Sequence, residues 1–301
     1  MSDDAPRSPL AAGVLLRALV DDAATFPPGN APMADAVESR AMYEDSWFAG
    51  VLGAVVLRSD RAGELLAALR ATGLHARTSR EPLPVTVVAP GGPGTVAEAL
   101  AEVRDPGLRV VSVEVPLGPG RPDATALRAT RALLPAGADL YVEPSTGLDP
   151  AEVMPVLAQA GVRGKIRTGG TTSAAFPDEA TVARFVHEAV AAGVPFKATA
   201  GLHNALRHRD EDTGFEHHGF VNLLAATAAA RLHGASEHQV HVLLRARDAE
   251  PLLDLLGVLD VSQAAQVREA FVSFGSCSTV EPVEDLAGLG LLVRPAVGVG
   301  A

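Results

Sequence analysis

Lysine is nearly absent from this chain. Two residues, Lys165 and Lys197, stand against twenty-three arginines. Cysteine is scarcer still: Cys277 is alone, which excludes an intrachain disulfide and fits a reducing, cytoplasmic setting. Positive charge is in deficit, with a net charge of −11. That balance argues against nucleic acid and anionic membrane as partners, since both reward basic surfaces. No apolar run reaches the roughly 18 residues expected of a membrane span. The first residues, Met1-Ser2-Asp3-Asp4, are acidic and lack the basic region of a secretory signal. There is no zinc-type cysteine spacing, no Walker loop and no GxGxxG fingerprint, so we expect no organic cofactor and no metal.

Hydrophobic residues make up 48% of the 301, enough for a large core. Short apolar runs at 18–23, 53–57, 84–89, 109–115, 139–143, 164–168, 195–199 and 271–276 read as strands. Helical patterns lie between them at 33–43, 62–71, 96–103, 124–134, 150–160, 179–192 and 220–232. Glycine recurs in the loops that lead into strands, where it stops the preceding helix. Eight strands alternating with helices over this length predict an α/β fold, a (β/α)8 TIM-type barrel spanning 1–301 as one domain. Residues 238–269 fall outside the repeat and read as a helical insertion before the last strand. Residues 8–17 read as a helix closing the barrel bottom.

The two lysines occupy similar settings, Gly164-Lys165-Ile166-Arg167-Thr168-Gly169-Gly170 and Phe196-Lys197-Ala198-Thr199-Ala200-Gly201. Each is a strand running into a small-residue loop. A chain that uses arginine for surface charge has kept a compact amine at these two places, and guanidinium cannot replace amine chemistry. Strand alternation extends the set. Ser112 and Glu114 share a face, as do Tyr141 and Glu143, Lys165 and Arg167, Lys197 and Thr199, and Ser273 and Gly275. The first strand adds Asp21 or Asp22. In such barrels the C-terminal strand ends carry the site, so these residues are expected at one mouth, rimmed by His203.

Crowding of Lys165 by Arg167 and Lys197 is expected to push one amine down from its usual ~10.4. A neutral amine attacks carbonyls and gives an iminium. Glu143 is then the proton carrier, and Arg167 the holder of a substrate carboxylate or phosphate. Thr199, His203, Glu114, Asp21, His218 and Ser273 are the remaining substrate-binding candidates. The expected partner is a small carbonyl or carboxylate substrate. A homo-oligomer is neither required nor excluded. Two alternatives stay open. One is a metal-assisted hydrolase or isomerase using Glu143, His203 and His218; the other is a non-catalytic barrel that binds an acidic metabolite. A lone Cys277 reads more readily as small-residue packing than as a nucleophile.

The whole chain resembles an uncharacterised bacterial (β/α)8-barrel family. The likeness is carried by LVDDAATFPP at 19–28, GKIRTGG at 164–170, FKATAGLH at 196–203, HGFVN at 218–222, FGSCS at 274–278 and EPVEDL at 281–286. It implies the fold and no particular activity. A shorter stretch, about fifteen residues, is similar to class I aldolases of the deoxyribose-phosphate aldolase type. Those carry strands like Lys-Thr-Ser-Thr-Gly and Lys-x-Ser-Gly-Gly, here in reversed order and with Arg167 intruded. By pattern Lys197 is the Schiff-base lysine; by position on the sixth strand Lys165 is. The resemblance implies a class I aldolase-like lyase and leaves the nucleophile open between the two.

Overall fold

The computed structural model describes residues 9–118 and 120–295. Ten strands are present among them: β1 Val20–Asp22, β2 Leu52–Arg58, β3 Leu83–Val88, β4 Leu108–Pro116, β5 Asp139–Glu143, β6 Arg163–Arg167, β7 Phe196–Thr199, β8 His208–Arg209, β9 Glu216–His217 and β10 Phe271–Ser276. Eight of them close into an all-parallel barrel in the order β1-β10-β7-β6-β5-β4-β3-β2. This is a (β/α)8 TIM-type barrel. The remaining two, β8 and β9, form a small antiparallel hairpin in the loop after β7.

Helices follow the strands as the apolar periodicity predicts. Their ends are chemically marked. Asp149 accepts the Ala151 N–H ahead of Pro150, and Gly161 in the left-handed region closes the same helix. Asp123 and Asp178 cap the next neighbours on either side in the same way. Val113, Val142, Ile166 and Ala198 all sit in the buried apolar cluster between barrel and helices. Gly164 lets that layer close tightly, since a Cβ there would lie 3.2 Å from the Phe185 ring.

Between β9 and β10 the chain makes four helices, Phe220–His233, Glu237–Arg245, Glu250–Gly257 and Val261–Ala270. The first is buried from Phe220 through Ala230. The other three pack over it, and Glu237–Arg245 also packs on Glu179–Ala191. A helix apolar all round must be covered all round, which is what this outer layer does. Two capping boxes, at Ser236 with Gln239 and at Asp260 with Gln263, start the covering helices.

The helix at the start, Pro9–Leu16, packs against Val261–Ala270. It does not fill the barrel bottom. A cavity of about 360 Å³ opens there, and no residue of that helix lines it. Ser8 and the acidic Met1–Asp4 segment lie outside the described residues. Among the described residues, no helix is long and apolar enough to cross a membrane.

Candidate active site

The inner faces of β5 and β6 form a ladder of opposite charges. Asp139, Tyr141 and Glu143 alternate along one strand; Arg163, Lys165 and Arg167 alternate along the next. At the lowest rung Arg163 pairs with Asp139 at 2.8 Å and donates to the Tyr141 hydroxyl at 3.1 Å. At the middle rung Lys165 Nζ lies 3.0 Å from Glu143 Oε2. At the top Arg167 Nε donates to Glu143 Oε1 at 3.1 Å.

The ladder continues across the barrel. Lys165 and Lys197 are direct register partners on β6 and β7. Glu114 of β4 reaches between them, with Oε2 2.5 Å from Lys165 Nζ and Oε1 2.7 Å from Lys197 Nζ. The second contact is off-axis for a hydrogen bond, so charge holds it. Beyond Lys197 lies Asp21, at 2.5 Å. Asp21 also accepts from the Ser273 hydroxyl at 2.7 Å and the Ala54 N–H at 2.9 Å. The Ala54 contact needs Gly53 beside it, where any Cβ would collide with Asp21 Oδ1. The resulting sequence of contacts is Asp21–Lys197–Glu114–Lys165–Glu143–Arg167, with charge alternating in sign throughout.

The alternation revises the crowding expected from the sequence. The three cations are close, but a carboxylate is interposed between each pair. Burial alone would raise the Glu114 carboxyl; the Lys165 and Lys197 ammoniums overcome it and hold it at about 2. Burial likewise opposes charge on Lys197, yet Asp21 and Glu114 keep its proton affinity well above the usual lysine range. Glu143 follows the same pattern, burial outweighed by Lys165 and then Arg167, and is lowered. Burial pushes the Tyr141 hydroxyl up to about 12, so it stays a neutral group under the Lys197 ammonium, 5.4 Å from its ring centroid.

Exposure grades along the chain of charges. Arg167 is half exposed, Glu143 is one-fifth exposed, and Lys197 is enclosed. Lys197, Asp21 and Ser273 line the bottom cavity together with Tyr141, Thr86 and Ser112, the last two joined hydroxyl to hydroxyl at 2.8 Å. Barrels of this kind are usually filled there by branched apolar side chains. This one holds polar groups and open space. Asp22 takes no part: it faces away from Asp21, accepts from the Ala24 N–H, and lines the small cavity under helix Met33–Glu44 with Arg40. Burial raises its carboxyl.

Thr199 is the register partner of Arg167 and of Gly275, whose missing side chain leaves its hydroxyl room; a Cβ there would sit 3.3 Å from Thr199 Oγ1. The loops after β6 and β7 meet backbone to backbone. Thr168 donates to the Ala200 carbonyl at 2.6 Å, and a Cβ on Gly169 would lie 2.7 Å from Gly201 Cα. Ala200 and Gly201 both have positive φ, 64° and 73°; the glycine takes that conformation freely, the alanine at a cost of about 1–2 kcal/mol.

The histidines do not converge with Glu143. His203 pairs with Glu281 and Cys277. His218 is fully buried and contacts the Pro177 carbonyl at 2.8 Å, behind the loop that follows β6. Neither joins the charge network, and among the described residues no group of three or more His, Cys, Asp or Glu could hold a metal. The HGFVN segment has a packing role here. Gly219 fits where a Cβ would strike Ala205 O, and buried Asn222 bonds Arg207 N on one side and the Leu243 and Ala246 carbonyls on the other. The sequence reading missed Arg163 and Asp139 as the lowest rung; their parity with Lys165 and Glu143 was the available signal.

No protein-family model matches the chain, and no curated protein matches it. The function is therefore read from the geometry. The (β/α)8 fold commonly carries enzymes at the face where Arg167 and Glu143 emerge, and it is compatible with an aldolase-like activity.

Proposed function

We propose that this chain is a cofactor-independent, class I aldolase-like lyase that makes or breaks a carbon–carbon bond on a small carbonyl substrate through an iminium on Lys165. The observation that carries the reading is the buried Glu114 shared by two neighbouring lysines of unequal surroundings. Lys197 has Asp21 as its second partner and is held charged, a fixed cation. Lys165 has Glu143 as its second partner, and beyond Glu143 stands half-exposed Arg167.

That order gives a sequence of events. A substrate carboxylate or phosphate takes the Arg167 guanidinium, which is suited to bidentate pairing. Drawing Arg167 away removes one of the two cations that depress Glu143. Glu143 then accepts the Lys165 proton. The neutral amine adds to the substrate carbonyl carbon, and Glu143 returns the proton as water leaves, giving the iminium. The iminium takes up the electron pair of the breaking carbon–carbon bond, or in the reverse direction its enamine supplies it.

Borohydride reduction in the presence of small aldehydes and ketoacids, followed by peptide mass spectrometry, tests the reading. The expected result is a reduced adduct on Lys165 that disappears in Lys165→Arg. Activity on an identified substrate that survives Lys165→Arg would overturn it. A second reading is favoured by the same alternation: every charge in the network already has a partner, so a barrel that binds an acidic metabolite through Arg167 without reacting is stable as it stands. Ligand binding with no trapped adduct on either lysine would select it.

A further inference from the structure

Cys277, His203 and Glu281 lie apart from the lysine network and form an ordered relay of their own. Cys277 follows β10, His203 lies in the loop after β7, and Glu281 is in the first turn of helix Val280–Gly288. Cys277 Sγ is 3.3 Å from His203 Nε2, and His203 Nδ1 is 2.6 Å from Glu281 Oε2. This is the order nucleophile, base, orienting carboxylate that activates a weak nucleophile. It is assembled from three segments at the C-terminal ends of the strands. The loop after β1 also fits against it: Gly29 lies so close that a Cβ there would come within 2.9 Å of Cys277 Cβ.

We propose that Cys277, with His203 and Glu281, is a second nucleophilic site at the barrel mouth, a thiolate that adds reversibly to the carbonyl carbon of small aldehydes. Both ring nitrogens of His203 face acceptors, sulfur on one side and carboxylate on the other, so the doubly protonated ring satisfies both. Its hydrogen bond to Cys277 foremost, with Glu281 adding to it against the cost of burial, lifts His203 to about 9. His217 on β9 is a further titratable neighbour: it bonds the Gly201 carbonyl, and it is lowered chiefly by burial, with the His203 charge acting in the same direction.

The chemistry balances with the groups present. The thiolate forms a carbon–sulfur bond to the carbonyl carbon. The carbonyl π pair moves to oxygen, which takes the proton from His203 Nε2. The products are a neutral thiohemiacetal and a neutral imidazole, and the reverse step restores the ion pair. Addition needs one proton and no leaving group, and one proton is what His203 places against the sulfur.

Iodoacetamide alkylation of Cys277, followed by mass spectrometry from pH 5 to 9, tests the proposal on the full chain. At pH 6 the native protein is expected to react at least about tenfold faster than an unstructured cysteine peptide, whose thiol ionises near ~8.5. His203→Gln is expected to lose that advantage and to shift the profile toward the peptide's. Glu281→Gln is expected to fall between the two and provides a milder change should His203→Gln disturb the rim. Propionaldehyde is expected to protect Cys277 in Lys165→Arg, where an iminium at Lys165 is impossible. Identical profiles for native protein, both variants and peptide would overturn the proposal, and absence of protection by propionaldehyde would overturn its assignment to aldehydes.

Discussion

Lys165 and Lys197 stand side by side on adjacent strands and share one carboxylate, Glu114, at 2.5 and 2.7 Å. Neither ammonium is the other's nearest charge. Glu114 is 2% exposed, so no solvent stands in for it if it is removed.

Glu114→Gln should therefore destabilise the protein by about 3–5 kcal/mol, the cost of leaving buried charges unpaired. Urea unfolding at pH 7 measures it. The pH dependence has a definite sign. The folded carboxyl, at about 2, lies below its unfolded value of 4.5. Its contribution is complete above pH 4.5 and lost as pH falls toward 2. The native protein should lose stability through that window, and Glu114→Gln should show a shallower acid limb.

Arg167→Gln should separate stability from ligand binding. The Arg167 side chain is 49% exposed, and exposed pairs contribute at most about 1 kcal/mol. Its unfolding midpoint should barely move. The glyoxylate concentration needed for half-maximal borohydride trapping should rise by about tenfold or more, because the carboxylate loses a charge-assisted bidentate partner. A large loss of stability with unchanged trapping would contradict the assignment.

His203 predicts an opposite slope on the alkaline side. Its folded value of about 9 lies above the ordinary 6.5, so the stabilisation it gives is complete below pH 6.5 and lost as pH rises to 9. Calorimetric melting temperatures of the native protein should decline across that interval. His203→Gln should flatten the decline; parallel curves for the two proteins would place the charge elsewhere.

Gly169→Ala should cost about 1–3 kcal/mol through overpacking. The added methyl would meet Gly201 Cα at 2.7 Å and the Phe176 ring at 3.1 Å. Thermal unfolding checks this; Gly63→Ala, in helix Ala62–Ala71 with nothing within 4 Å, is the control and should lose no stability, since alanine favours the helix by up to about 1 kcal/mol.

Much of the architecture was legible because a (β/α)8 barrel repeats one local pattern. The glycine-terminated helices, the apolar partners Val113, Val142, Ile166 and Ala198, and the parity of Lys165 with Arg167 are all set within a few residues of chain. Parity also brought Glu114, Glu143 and Lys197 inward. It could not say which carboxylate faces which amine, because that depends on register between strands. Lys165 was expected among cations and stands between Glu114 and Glu143. Asp21 and Asp22 were indistinguishable in sequence; the Ala54 N–H and the Ser273 hydroxyl decide for Asp21. The partnership of His203 with Cys277 spans 74 positions and left no local trace. His218 reads as a site residue by composition, but burial under Pro177 gives it a packing role.

The six-membered alternation from Asp21 to Arg167 contains as many carboxylates as cations and sums to zero. The proposed iminium on Lys165 would carry the same unit charge as the ammonium it replaces, so the sum would be unchanged by covalent binding of substrate. At the neutral carbinolamine that would precede it, Glu143 holds the proton taken from Lys165, so Glu114 alone is left as a carboxylate facing an uncharged nitrogen. A scaffold charged in this way is matched to the two end states and mismatched to the stage between them. On the proposed mechanism, loss of water would return the proton from Glu143 and restore a cation beside Glu114, so the electrostatics of the empty barrel would favour that step.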